Sequence, residues 1–234
     1  MLALGFLAAC AFGIAAGAVA AAAVLTAGTR RAVTGGRNSW AKGAAGERRT
    51  ARILAPLTRR GRYAVLHDRL IRRSSAANLD HIVFGPMGAV YIDSKNWGSV
   101  RSRVWVGAGG QLLFGTPNAR RPKGCRGSGF ARGRAVATAR WEADQIQRAL
   151  GCPVQTVVAV HGARVSGGLI RLDGVTIVQA SRLRSLLRAM PLAPGWSREK
   201  VHETARVADR RFPPAASGVN AADWTGRRSS GGGH

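Results

Sequence analysis

Apolar residues repeat at helical spacing over residues 44–58. Four of them form one stripe along the predicted helix: Ala51, Ile53, Leu54 and Leu57. Glu47 lies seven residues before Leu54, so it falls on the edge of that stripe and not on the opposite, polar face. The pattern therefore predicts an amphipathic helix that carries an acid at the border of its buried side.

Apolar alternation and short apolar runs predict strands through the middle of the chain. In chain order the predicted strands cover residues 63–68, a hairpin at 79–95, a second hairpin at 100–114, and single strands at 154–160 and 175–180. The run at 154–160 is continuously apolar, which is typical of a strand covered on both faces. Further helices are predicted at 135–150, 181–190 and 197–211. This order predicts a mixed α/β fold with a central mixed sheet.

Composition divides the chain into five segments. We predict a transmembrane anchor at residues 1–29, a linker at 30–43, the α/β domain at 44–180, a helical extension at 181–216 and a disordered tail at 217–234. Residues 1–29 contain no charged side chain and can cross a bilayer at about 1.5 Å per residue. Arg30 and Arg31 follow at once, so the positive-inside tendency places the C-terminal domain in the cytoplasm of a single-pass protein of the cell membrane.

Two other readings of the first segment stay open. A cleaved leader is one, although no basic residue precedes the apolar run as a signal peptide requires. The spacing of Ala9, Gly13 and Gly17 could pack two such helices into a homo-oligomer, but chance explains small residues equally well in so alanine-rich a segment.

The net charge indicates which classes of partner the protein binds. The 234 residues carry a net charge of +25, with 36 basic and 11 acidic side chains. A surface of this kind binds nucleic acid or anionic lipid, because neutralising phosphates releases counterions; an arginine-rich genome is the alternative explanation. Cys10, Cys125 and Cys152 have neither disulfide-framework nor zinc-site spacing, which fits a reducing compartment.

The first hairpin places two acids opposite each other. Its turn contains Pro86, which cannot take the positive φ of a two-residue type I′ or II′ turn, so we predict a four-residue loop at 85–88. Phe84 then pairs with Ala89, and continuing the antiparallel register brings Asp80 opposite Asp93.

Opposed side chains have Cβ atoms ~5 Å apart, and like charges there destabilise the pair. A divalent cation would remove this repulsion and use both carboxylates as ligands. Lys95 lies two residues beyond Asp93 on the same face, and Glu47 can supply a third carboxylate. The alternative is a surface strand end whose acids pair with arginines, and a three-residue loop would place the two aspartates on opposite faces.

Four separated motifs resemble the nuclease-related domain, NERD, a family related to the PD-(D/E)xK phosphodiesterases. They are Gly46-Glu47, Asn78-Leu79-Asp80-His81, Gly85-Pro86-Met87-Gly88 and Ile92-Asp93-Ser94-Lys95-Asn96. The resemblance covers about residues 40–160. It implies a restriction-endonuclease-like αβββαβ core, in agreement with the element order predicted above.

The resemblance also implies roles for individual residues. Asp80 and Asp93 would bind Mg²⁺ or Mn²⁺ with the Ser94 carbonyl and Glu47, and Lys95 would orient or activate the attacking water. Position 93 is aspartate where glutamate is commoner in the family, and the Asn-Pro stretch of many relatives is missing, since alanine follows Asn118. His81 neighbours Asp80 but is expected on the other face, as a hydrogen-bonded structural residue.

A basic loop precedes the helix predicted at 135–150. Its cations are candidate phosphate contacts for nucleic acid: Arg120, Arg121, Lys123, Arg126, Arg132 and Arg134. The same residues could form a solvated loop that lies on anionic lipid.

The leading hypothesis is therefore a membrane-anchored, metal-dependent nuclease-like protein that hydrolyses phosphodiester bonds of DNA or RNA. The alternative is a catalytically inactive module of the same fold that binds nucleic acid or a membrane surface. A scaffold that self-associates through residues 1–29 is a third hypothesis.

Overall fold

The computed structural model describes residues 41–71, 78–115 and 130–215. Within these residues there are four helices: α1 at 41–58, α2 at Gly133–Leu150, α3 at Leu183–Ala189 and α4 at Arg198–Arg211. All four predicted helices are confirmed. The chain is already helical at residue 41, three residues before the predicted start, and α2 begins two residues early.

The strands form two sheets. Those of the described chain are β1 (Ala64–Leu70), β2 (Asn78–Gly85), β3 (Gly88–Trp97), β4 (Arg103–Val106), β5 (Leu112–Gly115), β6 (Phe130–Ala131), β7 (Val154–Gly162), β8 (Arg164–Val165), β9 (Leu169–Leu172) and β10 (Val175–Gln179). The main sheet has the order β1-β2-β3-β7-β10-β9, and the smaller one the order β6-β5-β4-β8. In the main sheet β3, β7 and β10 run parallel and the outer pairings are antiparallel, which confirms a mixed α/β fold with a central mixed sheet.

The register of the first hairpin is confirmed, but its loop is shorter than predicted. Phe84 pairs with Ala89 as expected, and the ladder continues for one more pair, Gly85 with Gly88. Only Pro86 and Met87 remain in the turn. The exclusion of a short turn was wrong because the positive φ that closes this one, 95°, lies at Gly88, and neither Pro86 nor Met87 needs one.

Helices cover both faces of the main sheet. On one face, here the α1 face, Leu54 and Leu57 of α1 and Leu187 of α3 pack on alternate residues of the central strands, Val90 and Ile92 among them. Each of these fully buried leucines contributes about 2 kcal/mol by leaving water. The intervening strand residues therefore point to the opposite face, which α2 and α4 cover.

On this α2 face, Ile82, Phe84 and Tyr91 of the sheet belong to the same core cluster as Ala139 and Ile146 of α2. β7 lies between β3 and β10, so its apolar run is buried on both faces as predicted. Strand alternation then determines the environment of each polar residue: Asp93 and Lys95 follow Tyr91 on the α2 face, whereas Ser94 follows Ile92 on the α1 face.

The smaller sheet contains the second predicted hairpin. β4 and β5 pair antiparallel, with Val104 opposite Phe114, around the glycine-rich turn. The two-residue strands β6 and β8 extend this sheet and were not predicted, because so short a segment has no periodicity to detect. β9 was also missed; it is a four-residue edge strand.

No helix within the described residues is both long and apolar enough to cross a membrane. The predicted anchor at 1–29 and the predicted tail at 217–234 lie outside the described residues.

Gly162 at the end of β7 should tolerate no larger residue. Its φ is 82°, and a Cβ there would lie 2.8 Å from the Trp97 carbonyl oxygen and 3.0 Å from that of Gly98. We expect Gly162→Ala to lower the free energy of unfolding by about 3 kcal/mol or more. Gly151→Ala is the matched control, because its φ is 65° with nothing within 4 Å of the added Cβ, and it should cost about 1 kcal/mol. Equal losses in denaturant unfolding would contradict this prediction.

Candidate active site

β2 and β3 bring three predicted site residues together. The last ladder pair, His81 with Ile92, continues to Asp80 opposite Asp93. The Ser94 amide donates a hydrogen bond to Asp80 Oδ2 at 2.7 Å, and Lys95 Nζ lies 2.7 Å from Asp93 Oδ1. The two carboxylates and the ammonium thus share the α2 face of one hairpin, as the sequence predicts.

Asp93 is the most deeply placed of these groups. Its side chain is 2% exposed, while that of Lys95 is 31% exposed. Oδ1 accepts the ion pair with Lys95, but Oδ2 is buried without a hydrogen-bond partner. An unpartnered buried carboxylate oxygen is costly, on the order of 1–3 kcal/mol, and is therefore a candidate functional atom.

The charges of the site act on one another. Burial raises the pKa of Asp80 well above its usual value, and the charges of Asp93 and Glu47 raise it further against the opposing hydrogen bond from Ser94. Burial by itself lowers the pKa of Lys95, but the charge and hydrogen bond of Asp93, with Asp80, raise it overall. Asp80 is thus harder to ionise than a free aspartate, and Lys95 holds its proton more tightly than a free lysine.

Glu47 lies on the other side of the sheet from the two aspartates. It lies half-buried on α1, which packs on the opposite face of the sheet from Asp80 and Asp93. Burial raises its pKa first, Asp68 and Asp93 raise it further, and Lys95 lowers it. Glu47 therefore interacts electrostatically with the site, and its part in binding a metal stays a prediction.

Glu142 and Tyr91 belong to the same polar cluster and were not predicted. The Tyr91 hydroxyl, fully buried on β3, donates a hydrogen bond of 2.7 Å to Glu142 Oε2 on α2. Glu142 is 8% exposed, and burial raises its pKa to about 7, with Asp93 raising it and Tyr91 and Lys95 lowering it. A signal was present in the sequence, because Glu142 lies three residues after Ala139 and four before Ile146, both in the apolar stripe of α2.

A chain of buried hydrogen bonds runs behind the site on the α1 face. It links His67 Nδ1 to His81 Nδ1 (2.7 Å), His81 Nε2 to Ser94 Oγ (3.1 Å), Ser94 Oγ to Thr50 Oγ1 (2.8 Å) and Thr50 Oγ1 to His161 Nε2 (2.7 Å). His81 is thus a hydrogen-bonded structural residue on the other face, as predicted.

Burial lowers the pKa of each histidine in this chain, to about 4 for His67 and His161 and well below the usual value for His81. Neutral histidine rings suit this chain of hydrogen bonds, because each hydrogen bond then has one proton to share. The chain fixes Ser94, whose amide in turn holds Asp80.

The donor chemistry of the hairpin suits a hard divalent cation. Two adjacent carboxylates, one with a buried unpartnered oxygen, are the ligand type that Mg²⁺ prefers, and Mg²⁺ takes its other ligands from water and substrate phosphate. In the described parts of the chain, no set of three His, Cys, Asp or Glu side chains is arranged to hold a metal ion. A metal here would therefore need further donors besides the two aspartates, and the Ser94 carbonyl and Glu47 stay predictions for that part.

The structure describes only two of the six predicted phosphate-contacting residues. Arg132 packs its guanidinium over the rings of Trp97 and Phe114, at 5.3 Å and 4.9 Å from their centroids. Arg134 is exposed in the first turn of α2. Arg120, Arg121, Lys123 and Arg126 lie outside the described residues.

Comparison with known proteins identifies the family. No curated protein and no solved structure was found to match the chain. A family model described as the nuclease-related domain, NERD, matches residues 42–161, just over half of the chain. The matched range contains α1, the hairpin with Asp80, Asp93 and Lys95, and α2 with Glu142. The chain belongs to the nuclease-related domain family.

Proposed function

We propose that this protein is a metal-dependent nuclease that hydrolyses phosphodiester bonds of DNA or RNA. One observation carries the proposal: Asp93 is buried with one oxygen bound by Lys95 and the other without a partner, directly beside a second acid, Asp80. Such a group lowers the stability of the fold, and groups that cost stability in this way are concentrated at functional sites. Membership of a nuclease-related family supports a purpose in nucleic-acid chemistry.

The proposal includes a restriction-endonuclease-like core of the PD-(D/E)xK superfamily. The element order α1, β1, β2, β3, α2, β7 supports it, because it follows the αβββαβ order of that core. In this reading β4, β5 and β6 of the smaller sheet are an insertion between β3 and α2, and β8, which follows β7, pairs with β4.

In this mechanism Asp80 and Asp93 would hold Mg²⁺ or Mn²⁺, with the Ser94 carbonyl and Glu47 as further donors. When bound, the cation lowers the pKa of a water and neutralises charge that develops on the phosphoryl oxygens. The Ser94 amide orients Asp80 through its 2.7 Å hydrogen bond. The histidine chain behind Ser94 keeps that amide in place.

Lys95 acts as a cation in this mechanism. Because its pKa is raised overall by Asp93 and Asp80, its amine stays protonated near neutral pH and is a poor proton acceptor. A charged ammonium beside the scissile phosphate orients the attacking water and stabilises the extra negative charge of the transition state.

The proposal also covers the binding partners of the protein and its location in the cell. Arg134 and the basic loop before α2, together with a net charge of +25, support contact with nucleic-acid phosphates. The uncharged segment 1–29, followed by arginines, supports a single-pass anchor in the cell membrane with the C-terminal domain in the cytoplasm. Self-association through that segment is part of the same proposal.

A cleavage assay tests the proposal directly. The full-length protein should cut labelled DNA or RNA in the presence of Mg²⁺ or Mn²⁺ and should lose this activity when EDTA is added. Asp93→Asn should lower the rate at least about a hundredfold, because it removes one charged donor. Glu203→Gln is the matched control, since it neutralises an exposed acid that pairs with Lys200 at 3.5 Å on the surface of α4.

Equal cleavage by the wild type and Asp93→Asn would refute the site. Absence of metal-dependent cleavage in both, with binding that weakens steeply as salt rises, would instead support the binding module of the same fold.

A further inference from the structure

A second surface feature lies far from the candidate active site. It is a groove of about 670 Å³ between the end of α1, the β2–β3 turn and the end of α3. We call it the arginine groove after four of its lining residues, Arg59, Arg60, Arg62 and Arg188. Its volume is within the usual range of ~300–1,000 Å³ for ligand sites.

The groove has an apolar floor and a charged rim. Leu57, Met87 and Leu187 are buried at its floor, and Leu192 at its edge is 75% exposed. The four arginines are exposed around them. An exposed leucine beside buried apolar side chains suits a ligand with both an apolar part and a negative charge.

The positive charge of this rim is not balanced within the described chain. No acidic side chain is among the residues that line the groove. The ion pairs of the described residues join Arg69 to Asp209, Lys95 to Asp93 and Lys200 to Glu203, so none of them uses an arginine of the groove. Guanidinium groups placed in this way are available to phosphate.

The groove is separate from the candidate active site. It adjoins the turn at Pro86 and Met87, whereas Asp93 lies five residues along β3 from Gly88, which corresponds to ~16 Å. The floor is formed on the α1 face, by Leu57 and Leu187, and the two aspartates lie on the α2 face. A strand of nucleic acid bound at Lys95 would have to pass around the sheet to reach it.

We propose that the arginine groove docks the domain on a membrane surface by binding an anionic phospholipid. The arginines bind the phosphate of the headgroup, the half-buried Pro86 and Met190 of the lining contact the adjoining part of the acyl chains, and Leu192 inserts among the lipids. This inference goes beyond the proposed nuclease activity and does not depend on it.

Charge and shape favour lipid over nucleic acid as the occupant. Single-stranded nucleic acid is bound by stacking its bases on aromatic rings, and Tyr63, the only aromatic residue among the described residues that line the groove, is half-buried. Duplex DNA would contact the arginines but would leave the exposed Leu192 without a partner. An acyl chain covers Leu192, and two weak membrane signals in one chain, this groove and residues 1–29, would reinforce each other.

The experiment places an environment-sensitive fluorophore on Leu192→Cys. The full-length protein, with Cys10, Cys125 and Cys152 replaced by serine, is mixed with vesicles of phosphatidylcholine, with or without phosphatidylglycerol. Emission should shift to the blue only with phosphatidylglycerol. Val100→Cys is the matched control site, because Val100 is 71% exposed and lies outside the groove, and its probe should not respond. Both samples contain residues 1–29, so capture by that segment affects them equally.

Charge variants then assign the binding to the groove. Arg59→Gln, Arg60→Gln and Arg188→Gln together should weaken the response about a hundredfold in phosphatidylglycerol concentration, since each basic residue near an anionic surface contributes about fivefold. The matched triple variant, Arg101→Gln, Arg103→Gln and Arg164→Gln, removes the same charge from exposed positions in or next to the smaller sheet and should lose no more than a few-fold.

Three results would overturn the proposal: equal emission shifts at positions 192 and 100, the same shift with pure phosphatidylcholine, or equal losses in the two triple variants. Displacement of the probe response by an oligonucleotide, with oligonucleotide binding lost in the groove variant, would assign the groove to nucleic acid instead. Cleavage by the groove variant should equal that of the wild type, so failure of this inference and failure of the nuclease proposal are told apart.

Discussion

Lys95→Met should lower the rate of metal-dependent cleavage about a hundred- to a thousandfold while the affinity for Mn²⁺ is maintained or increased. The rate should fall because the ammonium that stabilises the transition state is gone. The affinity should not fall, because Lys95 Nζ lies 2.7 Å from Asp93 Oδ1 and competes with a cation for that oxygen. Single-turnover cleavage and calorimetric titration with Mn²⁺ would separate the two effects.

Two variants control for the charge and for the fold. Lys200→Met removes an exposed lysine that pairs with Glu203 on the surface, so its cleavage rate should match that of the wild type. Removing one partner of a buried pair can cost about 3–5 kcal/mol, so Lys95→Met is also compared with Lys95→Arg, which keeps a cation beside Asp93. A parallel loss of Mn²⁺ affinity and cleavage in folded Lys95→Met would show that Lys95 supports the metal site and is not a separate catalytic group.

Glu142→Gln should stabilise the protein relative to the wild type as the pH rises. Burial raises the pKa of Glu142 from 4.5 in the unfolded chain to about 7 in the folded one. Between these values the folded state binds the extra proton, so the stability of the wild type falls as pH rises through this window. Glutamine does not titrate, and the gap in unfolding free energy should therefore widen in favour of the variant by up to about 3 kcal/mol between pH 4.5 and 7.

Denaturant unfolding across that pH range measures the gap. The same replacement in a Tyr91→Phe background gives a sharper test, because the hydroxyl of Tyr91 donates to Glu142 and lowers its pKa. Without that hydroxyl the carboxyl should be harder to ionise, and the gap should be larger still. Parallel stability curves for the wild type and Glu142→Gln would show that Glu142 ionises in the fold as easily as in solution.

A common physical feature links these two predictions. Tyr91, Asp93 and Lys95 alternate along one face of β3, and Glu142 approaches the same face from α2. The charge of Asp93 thus raises the pKa of three other acids, Glu47, Asp80 and Glu142, beside the ammonium of Lys95. A cluster with this excess of acid lowers stability at neutral pH, and a cation would relieve the repulsion.

The sequence by itself determined the four helices, most of the strands and the register of the hairpin. Strand alternation has a fixed period of two, and Phe84 opposite Ala89 is enough to place Asp80 across from Asp93 and Lys95 on the same side. The exact turn did not matter: the predicted four-residue loop and the observed pair Gly85–Gly88 share one register. The predicted part of the site therefore follows from the spacing of residues along the two strands of the hairpin.

Tertiary structure alone decided which side chains from other elements join that hairpin. Glu142 reaches Tyr91 across 51 residues, and Thr50 reaches His161 across 111, through the packing of α2 and α1 on opposite faces of the sheet. The arginine groove likewise gathers the ends of two helices and a turn that are far apart in the chain. The periodicity of a segment gives the direction of each side chain relative to its own helix or strand. Which helices and strands pack together depends on the burial of whole faces, and the sequence of a single segment does not contain this information.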